Sequence, residues 1–174
     1  MKPPLLIIIF GKEIIYLMGL PVEISNNYIL TREDASKRIK EISKFDQENV
    51  VLVTVSCDWR IIKEHFISVG GFHSADVSLQ VIFNRIAEDK ARFFFIGHNH
   101  SNGNGNPSIE DVVLCIRLLA FSSMMEVGFL DSIIFPYKKE PLYMRSMYPK
   151  VFDRDYGSEF NNMIKKFIPR KVKT

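Results

Sequence analysis

Apolar and polar positions alternate along the first part of the chain in patterns that predict two short strands and then a helix. The apolar stretches at about residues 5–10 and 14–18 are separated by a glycine, which predicts a pair of strands joined by a turn. The next segment repeats apolar residues at helical spacing and predicts an amphipathic helix over about 32–45. Thr31 and Asp34 have the spacing of a capping box at its start.

The middle of the chain predicts a β-hairpin followed by a helix and a further strand. A β-branched run covers about residues 50–55, and a second strand covers about 61–69 after a polar break. Helical spacing returns within 76–90 and is followed by a strand at about 91–97, so we expect a crossover connection. The apolar face of this helix consists of Leu79, Ile82, Phe83 and Ile86.

The C-terminal part continues the alternation of helices and strands. A helix over about 109–121 and a strand at about 128–135 are followed by a short helix with Phe160, Ile164 and Phe167 facing inward and by a basic tail. Together the elements predict a mixed α and β fold of the α+β class. The apolar residues on which the 109–121 helix is predicted are Val112, Val113, Ile116, Leu119 and Ala120.

Composition and charge narrow the class of protein. A chain of 174 residues with 47% hydrophobic and 25% charged residues is typical of a globular domain, and its interspersed net charge of +3 argues against an electrostatic nucleic-acid footprint. Cys57 and Cys115 lack CxxC spacing, which predicts neither a thiol metal site nor a disulfide framework and favours a cytoplasmic location. The apolar N-terminal stretch is too short for a membrane span and no cleavage site follows it, so we expect no membrane association.

Two histidines, His98 and His100, end the apolar strand and indicate a metal site. Residues two apart on a strand point to the same face, so both imidazoles can approach one ion. Neutral imidazole is a common zinc ligand, and a catalytic zinc site has three protein ligands with one open position. A third ligand is therefore expected nearby.

Asp111 is the natural third ligand. The intervening loop SNGNGNP is rich in Asn and Gly, which adopt positive φ and allow the chain to fold back. Ser108 stands at a helix N-cap position and Asp111 lies in the first turn of that helix. The sequence thus predicts a site of two histidines and one aspartate.

Each part of this pattern also has an interpretation without a metal. Ser108 and Asp111 have the spacing of a capping box, so helix entry alone explains both residues. Paired histidines on a strand are often satisfied by backbone groups or solvent. The two interpretations of Ser108 and Asp111 are compatible, because a helix cap holds both side chains in place.

Read together, these residues form His-x-His-x7-Ser-x-x-Asp, which resembles the signature of the JAMM, or MPN+, metallopeptidases. The text GHNHSNGNGNPSIEDV is most similar to the branch known as RadC-like JAB domains, in which HNH precedes a glycine-bearing loop and a PSxxD helix start. The resemblance extends over about residues 29–147. It divides the chain into N-terminal strands over 1–28, the JAB/MPN domain, and a C-terminal helix with a basic tail over 148–174.

The resemblance implies a fold, a cofactor and a set of site residues. The fold would be of the JAMM/MPN type, which is cytidine-deaminase-like, with a central mixed sheet flanked by helices. Zinc would be held by His98, His100 and Asp111, with Ser108 near the substrate carbonyl. The family mechanism also uses a glutamate as general base, which takes a proton from the attacking water and passes it to the leaving amine.

Two glutamates are candidates for this base. Glu48 stands where a helix gives way to the strand ENVVLVTV, which is the place that the acid typically occupies in JAMM proteins. Glu64, within RIIKEHF, is nearer to the histidines in sequence. We prefer Glu48 as the predicted base and keep Glu64 as the alternative.

The chain departs from the family pattern in three places. It has HNHSNG where relatives usually carry HNHPSG, and Asp131 is followed by Ser132 where they commonly carry Asp-His, which puts a role for that histidine in doubt. Only some thirty residues precede the matched region, whereas full-length RadC proteins have an N-terminal helical region there. We therefore expect a stand-alone catalytic module.

The other residues that stand out have structural interpretations. His65 and His73 are predicted to be surface or strand polar residues rather than ligands. Trp59 is predicted to cover a hairpin turn, and the phenylalanine run at 93–95 to form a strand buried on both faces.

Two functions follow from the resemblance. The first is a zinc-dependent hydrolase that cleaves a peptide or isopeptide bond in a peptide or protein substrate. The second is a binding module in DNA repair or mobile-element biology with a structural or vestigial metal site, and involvement of nucleic acid is left open. The presence of all motif ligands favours the first, while the substrate and the oligomeric state are not predicted.

Overall fold

The computed structural model describes residues 6–10, 13–17, 28–29, 31–44, 46–69, 77–101 and 105–167. Strands and helices are interspersed along this part of the chain. The strands are β1 (Leu6–Phe10), β2 (Glu13–Leu17), β3 (Asn49–Val55), β4 (Ile61–Val69), β5 (Phe93–His100), β6 (Gly128–Pro136) and β7 (Leu142–Tyr143). The helices are α1 (Arg32–Ile39), α2 (Leu79–Glu88), α3 (Ile109–Met125), α4 (Met144–Met147), α5 (Pro149–Phe152) and α6 (Tyr156–Phe167), and a 3-10 helix at Lys40–Lys44 continues α1.

A five-stranded mixed sheet in the order β4-β3-β5-β6-β7 forms the centre of the fold. Strand β3 pairs antiparallel with both β4 and β5, β5 pairs parallel with β6, and β6 pairs antiparallel with β7. The predicted hairpin and the predicted crossover through α2 are both present. Strands β1 and β2 form a separate antiparallel pair, as expected from the sequence.

Helices cover both faces of the sheet, so that the sheet contributes to two hydrophobic cores. On one face α2 and α3 pack on the even-numbered residues of β5, and on the other face α1 packs on the odd-numbered ones. The observed architecture confirms the predicted mixed fold with a mixed sheet flanked by helices. Within the described residues, no helix combines the length and the apolar character that crossing a bilayer requires.

Helix α3 buries only part of the face predicted for it: Leu119 is buried and Val112 is half-buried against the core, as expected. Val113 and Ile116 are exposed, whereas Leu114, Cys115 and Leu118 are buried against the sheet. The reason is that Asp111 must face the end of β5, and residues three, four and seven positions further along a helix lie on the same side. The helix also extends one turn beyond the predicted end.

Two further element predictions need correction. The helix predicted over about 32–45 is α-helical only to Ile39 and then narrows to the 3-10 helix. Ile164 of α6 is exposed rather than inward, and residues 161–166 are all exposed, because the helix packs on the domain near its start, where Tyr156 contacts the core. Phe160 is half-buried, and the side chain of residue 167 lies outside the described part.

Candidate metal centre

Strand β5 carries His98 and His100 to the end of the sheet. The strand continues regularly through both residues, with His98 opposite Val50 on β3 and opposite Ile134 on β6. Both side chains are buried, and their Nε2 atoms lie 3.0 Å apart. The alternation expected from the sequence therefore brings the two imidazoles together.

Asp111 approaches the histidines from the first turn of α3. Its Oδ1 lies 3.0 Å from His98 Nε2, and its Oδ2 lies 3.5 Å from His100 Nε2. The predicted capping box is present, because the Asp111 amide donates to Ser108 Oγ (3.1 Å) and the Ser108 amide donates to Asp111 Oδ2 (2.7 Å). The Ser108 hydroxyl donates to the same carboxylate oxygen at 2.8 Å. The cap thus fixes the carboxylate that faces the histidines.

The electrostatic surroundings keep Asp111 ionised. Burial acts to raise the pKa of this carboxyl, but hydrogen bonds from His100 and His98, the charge of His98 and the Ser108 amide outweigh it, so the pKa lies well below its ordinary value. The ionised form is the one that binds a metal.

The donor set fits a zinc ion. One ligand atom from each of His98, His100 and Asp111 lies within 4.8 Å of the others. Ligand atoms of a tetrahedral zinc with bonds of about 2.0–2.1 Å are about 3.3 Å apart. The two Nε2 atoms are 3.0 Å apart, and the nearest carboxylate oxygens of Asp111 lie 3.0 Å from His98 Nε2 (Oδ1) and 3.5 Å from His100 Nε2 (Oδ2), so small shifts of the side chains suffice to bind the ion. Three protein ligands with one open position are the pattern of catalytic sites.

Glu48 immediately precedes β3, the strand that pairs with the histidine-bearing β5. Val50 pairs with His98 in an antiparallel ladder, and the Asn49 amide donates to Asn99 Oδ1 at 2.7 Å, so the half-buried Glu48 lies at the end of the sheet where β5 carries His98 and His100. Glu48 and the two histidines thus lie at the same end of the sheet, although they are about fifty residues apart in sequence.

Glu64 lies on the opposite face of the sheet. It pairs with Val53 on β3, and Val53 pairs with Phe95 on β5, so all three side chains share the face covered by α1. Its carboxylate forms an ion pair with Arg38 of α1. The geometry therefore separates Glu64 from the histidines and favours Glu48 as the nearby acid.

His65 is not part of the candidate metal site. The buried His65 contacts Asp89 Oδ2 through Nε2 at 2.6 Å, and Thr54 Oγ1 donates to the same oxygen at 2.6 Å. His65 is thus a strand polar residue with a buried partner, whereas His73 lies outside the described residues. Trp59 is buried in the turn between β3 and β4 and stacks on Phe93.

Asp131, which precedes Ser132 where relatives commonly carry histidine, has a structural role. Asp131 is buried, and its Oδ1 accepts hydrogen bonds from the backbone amides of Ser132 (2.8 Å) and Arg145 (2.9 Å). Burial raises the pKa of Asp131 to about 6, against the lowering effect of those amides and of the charges on Arg145 and Arg32.

Asn99, the residue between the two histidines, has no role predicted from the sequence. Its side chain is buried and binds the backbone on both sides of Glu48, through the Asn49 amide (2.7 Å) and the Gln47 carbonyl (3.0 Å). A polar side chain at the inward position of a buried strand is the signal that could have identified it, because a buried amide requires partners.

The chain is similar in sequence to known proteins over the region that contains the site. A family model described as RadC-like JAB domain matches residues 29–147. The chain is 29% identical over 130 residues to a UPF0758 protein of Alkaliphilus oremlandii, covering 73% of this chain and 55% of that protein. It is 28% identical over 111 residues to a UPF0758 protein of Bacillus pumilus (63% and 50% covered) and 29% identical over 113 residues to one of Clostridium perfringens (64% and 50%).

These similarities cover most of the described fold but only part of the relatives. The chain spans about half the length of the curated relatives it matches. The matched region includes β3 to β7 and all three candidate ligands. The chain therefore belongs to the RadC-like JAB domain family.

Proposed function

We propose that this protein is a zinc-dependent hydrolase of the JAMM metallopeptidase type, which cleaves a peptide or isopeptide bond in a peptide or protein substrate. The observation that carries the proposal is the convergence of the three buried ligand atoms of His98, His100 and Asp111. Two histidines and one carboxylate are a common ligand set for catalytic zinc, and they leave one coordination position open. The free cysteines and the absence of a membrane-crossing helix among the described residues are compatible with the cytoplasmic location that we propose.

Each of the ligands has a defined task in this proposal. The imidazoles of His98 and His100 and the carboxylate of Asp111 hold the ion, and the capping bonds from Ser108 restrict the carboxylate to one orientation. When bound, zinc supplies Lewis acidity, which polarises a carbonyl and lowers the pKa of water. The buried setting strengthens these electrostatic effects because little solvent screens them.

Glu48 and Ser108 act on the substrate. The carboxylate of Glu48, which immediately precedes β3, accepts a proton from the attacking water and returns it to the departing amine. Ser108 is exposed at the rim of the site, and when its hydroxyl turns from Asp111 Oδ2 to the substrate it donates a hydrogen bond to the substrate carbonyl, while the Ser108 amide still holds the carboxylate. The registers of Glu48 and Glu64 support this assignment, because Glu64 lies across the sheet.

The test compares two matched glutamate variants. Zinc-loaded native protein, Glu48→Gln and Glu64→Gln are incubated with a proteome-derived peptide library and with lysine-linked isopeptides, and new amino groups are identified by mass spectrometry. We expect cleavage by the native protein and by Glu64→Gln, and a loss of about 10²–10⁴-fold in Glu48→Gln. All three are expected to contain the same amount of zinc.

Two results would contradict the proposal. Zinc-loaded native protein that cleaves neither class of substrate would favour a binding module with a structural metal. Cleavage by Glu48→Gln at the native rate would exclude Glu48 as the base.

A further inference from the structure

Asn99 stands between the two histidines and faces away from them. On β5 its side chain lies on the same face of the sheet as that of Phe95, which is the face that α1 covers and where a Cβ at Gly97 would meet Ile39. Only 1% of Asn99 is exposed. A buried amide side chain must be hydrogen-bonded, so its partners indicate what it does.

Two partners of Asn99 are the backbone groups that flank Glu48. Its Oδ1 accepts from the Asn49 amide at 2.7 Å, and its Nδ2 donates to the Gln47 carbonyl at 3.0 Å. The Asn49 side chain donates to the same carbonyl at 2.7 Å. The carbonyl before Glu48 and the amide after it are therefore held by one planar group.

This arrangement fixes the backbone of Glu48 in both position and direction. The ladder between β3 and β5 has its last pair at Val50 and His98, so regular pairing does not restrain the residue that precedes β3 by one position. In extended backbone the carbonyl before a residue and the amide after it point the same way. A single amide that binds both leaves the intervening Cα little freedom to rotate.

We infer that Asn99 is a positioning residue, which holds Glu48 against the metal centre from the far side of the sheet. The inference rests on the proposed function, in which Glu48 is the general base. A general base must lie within hydrogen-bond reach of the proton it removes, and an error of 1 Å in its position can cost about 10²-fold in rate. Asn99, between His98 and His100, thus connects β5 to the segment that carries Glu48.

Paramagnetic relaxation measures this positioning without a substrate. The full chain is labelled with glutamate carrying ¹³C in the carboxyl group and is loaded with Co²⁺ as the probe, and the Glu48 signal is assigned by its loss in Glu48→Gln. Paramagnetic relaxation falls with the sixth power of the distance to the ion, so it reports how closely the carboxylate is held. Metal content and thermal unfolding are measured on the same samples.

We expect the Glu48 carboxyl to relax rapidly in the native protein and in the control Asn84→Ala, which alters an exposed asparagine of α2. In Asn99→Ala its relaxation rate should fall several-fold while the protein still binds one Co²⁺. Asn99→Asp, which keeps the acceptor for the Asn49 amide but loses the donor to Gln47, should give an intermediate rate and serves if the alanine variant does not fold.

The outcomes separate this inference from the proposed function. Equal relaxation of Glu48 in the native protein and in both Asn99 variants would overturn the inference even if the protein is an active hydrolase. A change in unfolding temperature without a change in relaxation would show a structural role only, and would overturn it too. Absence of hydrolysis by the zinc-loaded protein is read in its own assay and refutes the proposed function, and failure of the native protein to bind Co²⁺ would overturn both.

Discussion

The carboxylate of Asp111 lies 3.0 Å from the imidazole of His98, at the junction of a helix start and a strand end. Both side chains are buried, and the helix cap at Ser108 fixes the aspartate independently of any ion. The site is therefore organised by a strand and a capped helix, both of which form without a metal. A preorganised site of this kind spends little of its metal-binding free energy on ordering its ligands.

The first prediction concerns stabilisation by zinc. Replacing Asp111 with Asn keeps an oxygen for the capping bond from the Ser108 amide but removes the charge that a metal requires. At zinc concentrations of about 100 times the dissociation constant, the native protein should gain about 2.7 kcal/mol and melt about 5–10 °C higher. Calorimetry should show this zinc-dependent increase in native protein and little or none in Asp111→Asn. An equal increase in both would contradict the assignment of Asp111 as a ligand.

The second prediction concerns the close contact of β5 with α1. A Cβ at Gly97 would lie 2.0 Å from Ile39 Cδ1 and 3.2 Å from Phe135 Cε2, so Gly97→Ala should destabilise the fold by about 1–3 kcal/mol through overpacking. Ile39→Val removes the Cδ1 carbon and costs about 0.5–1.5 kcal/mol alone. Urea unfolding should show that the double variant is more stable than the sum of the two losses predicts. Additive losses of stability would mean that overlap with Ile39 Cδ1 is not the reason why alanine at position 97 is destabilising.

The third prediction concerns pH and Asp131. Because burial raises the folded-state pKa of Asp131 to about 6, above its ordinary 3.8, the stability due to its protonated form is complete at low pH and is lost as the pH rises through that value. Asp131→Asn carries no charge and keeps the oxygen that accepts from Ser132 and Arg145. Relative to native protein, the variant should gain about 1–3 kcal/mol between about pH 4 and pH 7.

Three charged or titratable groups lie around Asp131 and act on its pKa or titrate beside it. They are Arg145 of α4 and Arg32 of α1, which favour the charged carboxyl, and the buried thiol of Cys115 on α3. Unfolding is measured in chelator, so that metal binding does not enter the pH dependence. A stability difference between variant and native protein that stays constant across this pH range would show that the pKa of Asp131 is not raised.

Much of the fold and the ligand set could be predicted because local rules govern them. Alternation on β5 predicts that His98 and His100 share a face, and capping-box spacing predicts that Asp111 is held at a helix start, and both are observed. The hairpin of β3 and β4 followed from two β-rich runs separated by a polar break. Each of these features depends on residues that are close in sequence.

The features that could not be predicted depend on packing between distant elements. The apolar residues Val113 and Ile116 suggest an inward face for α3, yet the helix is rotated so that Asp111 and Cys115 face the sheet. The bonds from Asn99 to the neighbours of Glu48 join residues about fifty positions apart, so their register is known only once β3 lies beside β5. Likewise, the partner of His65 is Asp89, which α2 brings to the sheet.

Binding of one zinc ion by His98, His100 and Asp111 is tested by the metal content of purified protein. Elemental mass spectrometry is applied to native protein, to His98→Ala and to His65→Ala, whose altered histidine contacts Asp89 and not the three ligands. We expect about one zinc per chain in native protein and in His65→Ala, and essentially none in His98→Ala. No zinc in native protein after incubation with the metal, or equal zinc in His98→Ala, would contradict this expectation.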